Sequence, residues 1–152
     1  MVTDERIRSL HVRDLMTTDV HTASPATPIG KVLGMMQTHG ITALPIVEDG
    51  RCTGIVTATD LVRLIRDTNA AIRNGYPHYE DCLWVVDLAH RMLDQQPIRE
   101  IMHVGPETIS PDTPICEAAD RLSSGHRHHL IVESEGRLVG FLTAWDVARA
   151  IC

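Results

Sequence analysis

Apolar residues recur along the chain in two spacings, and the order of those spacings is written twice. Ile29, Val32, Leu33 and Met36 stand at i, i+3, i+4 and i+7, the stripe of an amphipathic helix, and Ile115, Ala118, Ala119 and Leu122 repeat it. Thr27-Pro28 and Thr113-Pro114 precede the two stripes and read as an N-cap followed by proline at the first helical position. Two short apolar runs follow in the first copy, Leu44–Val47 and Gly54–Thr57, with "EDGR" between them. That is a strand, a turn and a strand, with Gly50 (and Gly136 in the second copy) supplying the turn. After Asp60 and Asp146 a second helix is predicted, burying Leu61, Leu64 and Ile65 in one copy and Val147, Ala150 and Ile151 in the other. Each copy is therefore a β-α-β-β-α unit, too small to bury its own sheet and in need of its twin.

The copies are separated by 86 positions, as Asp60/Asp146, Gly54/Gly140, Thr57-Ala58/Thr143-Ala144 and Met16/Met102 show. At "PIVE" and "LIVE" a one-residue slip also fits. The repeats take residues 8–66 and 98–152, with a helical connector over 67–97. In the connector, a helix is expected to run out at Asn74-Gly75 and stop at Pro77. A further helix is expected with Leu83, Val86 and Leu93 on one stripe and Trp84, Leu88 and Met92 beside it.

Composition narrows the class. Apolar residues make up 43% of the 152 positions but aromatics only 3%, so the core is aliphatic. A net charge of −6 with a single lysine, Lys31, gives no footprint for duplex nucleic acid. No run approaches the ~18 apolar residues of a membrane span, and the first residues carry no secretion signal. The four cysteines are widely spaced without a C-x-x-C pair, as expected of a reduced, cytoplasmic protein. Cys52 and Cys116 read as packing residues, and Cys152 as an exposed terminal thiol. No nucleophile–base motif, phosphate loop or carboxylate pair marks an enzyme.

The segments "DLMTTDVHTASPATPIGKVLGMMQTHGITALPIVEDGRCTGIVTATDL" and "EIMHVGPETISPDTPICEAADRLSSGHRHHLIVESEGRLVGFLTAWDV" resemble a tandem pair of cystathionine-β-synthase (CBS) domains, a Bateman module. The resemblance covers about two thirds of the chain. It implies an α+β fold of two β-α-β-β-α repeats packed by pseudo-two-fold symmetry, with a helical connector and two clefts. It also implies adenosine-containing ligands (AMP, ADP, ATP, and sometimes S-adenosylmethionine or NAD) and a homodimer. One cleft would join Thr143, Trp145 and Asp146 to Met16, His21, Ile41, Thr42, Ala43 and Pro45, this second set resembling an adenine pocket, small and apolar with backbone groups exposed for the base edge. The other would join Thr57, Thr59 and Asp60 to Met102, Glu107, Arg127, His128 and His129. The position before each aspartate is often arginine in the family but is Thr59 and Trp145 here, so neither offers a guanidinium to a phosphate. Trp145 would either stack on a base or block its cleft.

The doubled Thr-x-x-Asp has a physical reading of its own. An aspartate at a strand-to-helix junction accepts hydrogen bonds from a ribose 2′,3′-diol. The threonine hydroxyl, backbone N–H groups and helix start would then face phosphate oxygens. Gly54 and Gly140 would admit a close neighbour, backbone or ligand. The plainer alternative is that Asp60 and Asp146 cap their helices and Thr57 and Thr143 fill strand positions. His126, Arg127, His128 and His129 invite a metal reading through strand alternation, or serve as phosphate contacts, with Glu107 opposing an anion. The expectation is a non-enzymatic, cytoplasmic, homodimeric regulatory module that senses adenosine nucleotides and signals to an unknown protein partner, with no bound duplex nucleic acid or membrane. A ligand-free interaction module, its clefts closed by Trp145 or Arg127, is the alternative, followed by a metal or redox sensor.

Overall fold

The computed structural model describes residues 2–75, 91, 93–125 and 127–151. The expected connector helix around Leu83 and Val86, the stop at Pro77, and His126, Cys82 and Cys152 lie outside them. In chain order the elements are α1 (Val2–Arg8), α2 (Val12–Leu15), α3 (Ile29–His39), β1 (Ala43–Glu48), β2 (Arg51–Thr57) and α4 (Ala58–Gly75). A 3-10 turn (Ile98–Glu100), β3 (His103–Val104), β4 (Thr108–Ile109), α5 (Ile115–Ser124), β5 (His129–Ser134), β6 (Arg137–Thr143) and α6 (Ala144–Ile151) follow. The strands form two three-stranded sheets, ordered β1-β2-β3 and β4-β5-β6. The class is α+β, as the repeat pattern predicts.

The chain divides into two compact units, one of Met1–His21, Asp49–Cys52 and Gly105–Cys152, the other of Thr22–Glu48 and Thr53–Val104. Neither coincides with a sequence repeat, because the leading segment of each repeat packs on residues of the other. In the first unit, the Val12 and Arg13 N–H groups donate to the carbonyls of Thr113 (2.9 Å) and Pro111 (3.0 Å). Thr17 and Phe141 exchange both backbone bonds, each 2.9 Å. In the second unit the equivalent bonds run from Ile98 to Thr27 (2.8 Å) and from Arg99 to Pro25 (3.0 Å). There β3 pairs antiparallel with β2, Gly54 opposite Val104 and Ile55 opposite His103.

The same exchange completes the helix starts. Pro28 and Pro114 are themselves the N-caps, extended at ψ 142° and 141°, without a side-chain cap bond. This corrects the expected threonine cap by one position. The Ile29 N–H, an orphan donor at the helix start, donates instead to the Gln96 carbonyl, and the Ile115 N–H to that of Leu10, both at 2.9 Å. Thr27 serves the preceding turn, where its Oγ1 accepts from the Ser24 N–H at 3.0 Å. Both hairpins turn through two residues of positive φ, Asp49 (53°) with Gly50 (78°) and Glu135 (54°) with Gly136 (74°). That signature favours glycine at the second position and matches the twist of the strands.

Core positions coincide at the 86-residue displacement. Val12, Ala23, Ile29, Leu44, Ile46 and Val56 are buried, and so are their counterparts Ile98, Ile109, Ile115, Leu130, Val132 and Leu142. The strands β1 and β5 carry one burial pattern at that displacement, which removes the slip at "PIVE" and "LIVE". Fully burying a side chain of this size contributes about 1.5–3 kcal/mol, so a register shift would forfeit several such terms at once. Two expected packing residues face solvent instead. Ile151 is 58% exposed, in the last turn of α6. Cys116 is exposed because it lies between Ile115 and Glu117, off the helix stripe that Ile115, Ala118 and Leu122 bury.

Gly54 and Gly140 answer to the exchanged segments. A Cβ on Gly54 would lie 2.7 Å from Met102 Sδ and 2.9 Å from the His103 carbonyl oxygen. One on Gly140 would lie 2.5 Å from Met16 Sδ and 3.1 Å from the Thr17 carbonyl oxygen. Gly140→Ala and Gly54→Ala should each lower stability by about 1–3 kcal/mol through overpacking. Urea unfolding of each variant measures this, and an unchanged midpoint would show that the methionine and backbone yield freely.

Candidate functional site: the Thr-x-x-Asp junctions

Each sheet's longest strand runs directly into a helix, β2 into α4 and β6 into α6, and the repeated Thr-x-x-Asp spans the joint. Three-residue spacing brings the aspartate of the first helical turn back over the last strand residue. The Thr57 N–H and hydroxyl both donate to Asp60 Oδ2, at 2.8 and 2.9 Å. The Thr143 N–H and hydroxyl donate to Asp146 Oδ2 at 2.9 and 2.8 Å. The aspartate N–H groups return to the threonine Oγ1 atoms at 3.4 Å (Asp60) and 3.2 Å (Asp146). Both junctions are thus reciprocal caps, and the negative charge sits at the positive end of the helix dipole.

Asp60 and Asp146 are the buried polar or charged residues among those described, each 7% exposed. Burial of a carboxylate is tolerated only with hydrogen-bonded or charged partners, and the second oxygen finds different ones at the two junctions. Asp146 Oδ1 accepts from Arg149 Nη2 at 2.8 Å, one turn along α6. Asp60 Oδ1 lies 2.8 Å from His103 Nε2 on β3, while Arg63, at the helix position equivalent to Arg149, stands at 3.9 Å. The Arg63/Arg149 identity is visible in the repeat and is the signal that would have found these partners. His103 carries no such signal, since only the exchange of β3 brings it to Asp60.

The expected site residues distribute as follows. Met16 lies against Gly140 in the unit that holds Thr143 and Asp146, and Met102 against Gly54 in the unit that holds Thr57 and Asp60. Trp145 is 77% exposed on the first turn of α6. Thr59, Thr42, His21 and His128 are exposed, Ile41 and Ala43 half-buried, and Pro45 buried. At three of these positions the expected ligand contacts meet partners already in place. Each threonine hydroxyl gives its single proton to the adjacent aspartate, so it is not a free donor to phosphate. The Thr42 and His128 carbonyls already accept the Ala58 and Ala144 N–H groups at 2.8 and 3.0 Å, although the resemblance suggested open backbone groups at Thr42. Arg127 forms an ion pair with Glu107, which neutralises the cation expected for phosphate.

The histidine cluster also rearranges. Strand β5 begins at His129, so strand alternation does not extend back through His128. His129 stacks on Phe141 with ring centroids 5.6 Å apart. Among the described residues no group of three or more His, Cys, Asp or Glu side chains is arranged to hold a metal ion. Nor is any helix among them long and apolar enough to cross a membrane.

The cap geometry predicts its own cost. Thr143→Val removes the hydroxyl that bonds Asp146 and should lower stability by about 0.5–2 kcal/mol, whereas Thr143→Ser should stay near the wild type. Thermal unfolding of the two variants checks this; equal losses in both would assign the effect to strand packing.

The comparisons with known proteins agree with this architecture. Residues 12–67 and 98–152 match the family model of the CBS domain. The CBS domain-containing protein YhcV of Bacillus subtilis is 27% identical over 137 residues, 90% of this chain and 82% of YhcV. The chain spans only 59% of CBSX1 of Arabidopsis thaliana, at 25% identity over 139 residues (87% of this chain). It spans 28% of an uncharacterized Methanocaldococcus jannaschii protein, at 28% identity over 141 residues (91% of this chain). Among solved structures, CBSX2 in complex with AMP superposes with a TM-score of 0.72 at 24% identity, covering 93% of this chain and 96% of that one. The CBS domain pair of MJ0100 in complex with 5-methylthioadenosine and S-adenosyl-L-methionine gives 0.68 at 24% identity, covering 92% and 94%. With two matched segments that together take up most of its length, the chain belongs to the CBS-domain family as a tandem pair of CBS domains.

Proposed function

We propose that this CBS pair is a regulatory rather than catalytic module that binds adenosine-containing nucleotides at its Thr-x-x-Asp junctions and relays their occupancy to a protein partner. The observation that carries the proposal is the doubled, buried aspartate held in one orientation at both junctions. Threonine fixes Oδ2, which leaves Oδ1 as the acceptor for a ribose diol once its present partner shares it or moves aside. AMP in CBSX2, and 5-methylthioadenosine with S-adenosyl-L-methionine in MJ0100, support the ligand class. AMP, ADP and ATP are the first candidates, followed by S-adenosylmethionine and NAD, and no resident cofactor is required.

For Met16, His21, Ile41, Thr42, Ala43 and Pro45 the proposal keeps the base-side role that the resemblance gives. Met102, Thr59, His128 and His129 are assigned to ligand contacts in the same way, with Arg127 reaching an anion only after leaving Glu107. Trp145, exposed beside Asp146, is assigned to stacking on the base. The protein is taken as a cytoplasmic homodimer. Signalling requires the ligand to favour one arrangement of the module over another, typically by about 1–3 kcal/mol.

One observation favours a second reading, a ligand-free interaction module. Among the described residues every buried side-chain polar atom is already hydrogen-bonded, so the aspartates do not depend on a ligand to be satisfied. Thermal shift with AMP, ATP, S-adenosylmethionine and NAD separates the two. A ligand at 100 times its dissociation constant should add about 2.7 kcal/mol of stability. Asp60→Asn and Asp146→Asn keep the cap acceptor, remove the charge, and should each lose the part contributed by its own junction. No shift with any of the four ligands would leave the interaction module as the function.

A further inference from the structure

The two junctions match on the threonine side and differ at the remaining carboxylate oxygen. At Asp146, Oδ1 is held by Arg149 from the same helix, whose side chain is 75% exposed. Both carboxylates are buried and both partners exposed (His103 61%), so the junctions differ in where the partner is anchored, and a guanidinium displaced on its long flexible stem is still a donor for an anionic ligand group. At Asp60, Oδ1 is held by His103, which arrives from a different element, the edge strand β3. His103 directly follows Met102, whose Sδ covers Gly54, and its backbone is fixed by pairing opposite Ile55 of β2. Its counterpart at the 86-residue displacement is Thr17, which is too short to fill the same space and leaves Asp146 without an imidazole. With His103 on Oδ1, Arg63 is held off at 3.9 Å, where Arg149 makes a 2.8 Å bond.

We propose that His103 is a specificity-determining residue that ranks the two junctions. It competes with a ribose diol for Asp60 Oδ1, so an adenosine nucleotide fills the Asp146 junction first and the Asp60 junction only at higher concentration. The inference rests on the reading of both junctions as ribose sites. Its physical basis is that an imidazole bonded to a buried carboxylate must be displaced by neutral hydroxyls. The ligand therefore gains only the difference between two hydrogen-bonded states. At Asp146 the donor to be moved belongs to the helix itself and swings away without disturbing a strand.

Isothermal titration of the full chain with AMP, and then with ATP, tests this on wild type, His103→Thr, His103→Gln and Thr17→His, with Asp60→Asn and Asp146→Asn assigning each step to a junction. Wild type should bind in two steps, the weaker one lost in Asp60→Asn. His103→Thr should tighten that step about three- to tenfold, His103→Gln should keep it weak through its amide donor, and Thr17→His should weaken the Asp146 step. A weaker Asp60 step in His103→Thr would make His103 a ligand contact and overturn the proposal, as would unchanged steps in both swaps. Absence of AMP and ATP binding in wild type and His103→Thr alike would overturn the ribose reading itself, a result distinct from binding that ignores His103.

Discussion

The backbone of each repeat's leading segment runs so close to the strand that enters the second helix, β2 or β6, that only glycine fits opposite it. At Gly54 and Gly140 the space a Cβ would need is already filled by a methionine sulfur and a carbonyl oxygen. Much else follows from that contact. The exchanged segment supplies the third strand in one unit and the Thr17–Phe141 pairing in the other. It takes up orphan donors at two helix starts and brings a buried residue, Val12 or Ile98, to each core. Neither repeat is therefore a self-sufficient folding unit, which accords with the small area a chain segment of this size buries alone.

The same packing sets the chemistry at the junctions. A carboxylate buried at a helix start is stabilised by the cap and by the helix dipole, and it remains a strong acceptor. The two oxygens of each carboxylate have different partners: Oδ2 belongs to the threonine, and Oδ1 to Arg149 at one junction and His103 at the other. Among the described residues every buried side-chain polar atom is hydrogen-bonded, so the caps are complete as they stand.

Duplication also allowed the two junctions to diverge while the scaffold stayed fixed. Core positions coincide pair by pair, yet Thr17 faces one strand end and His103 the other, and Trp145 stands where the first repeat has Thr59. Residues that pack are held to volume and register. Around Oδ1 the helix arginine is common to both copies (Arg63, Arg149), whereas the residue from the exchanged segment is not (His103, Thr17).

The sequence by itself determined the repeat, the helix stripes, the hairpins with their glycine turns and the Thr-x-x-Asp pattern. These are local signals, written in 3.6- and 2-residue periods and in turn chemistry that neighbours along the chain enforce. It also held both alternatives for the aspartates, cap and ligand acceptor, without deciding how one carboxylate divides between them. Only the tertiary structure decided that Pro28 and Pro114 are the caps, that Arg127 is committed to Glu107, and that Ile151 and Cys116 face solvent. It alone decided that His103 reaches Asp60 from 43 residues away, because the exchange of β3 is a long-range pairing that no local period encodes.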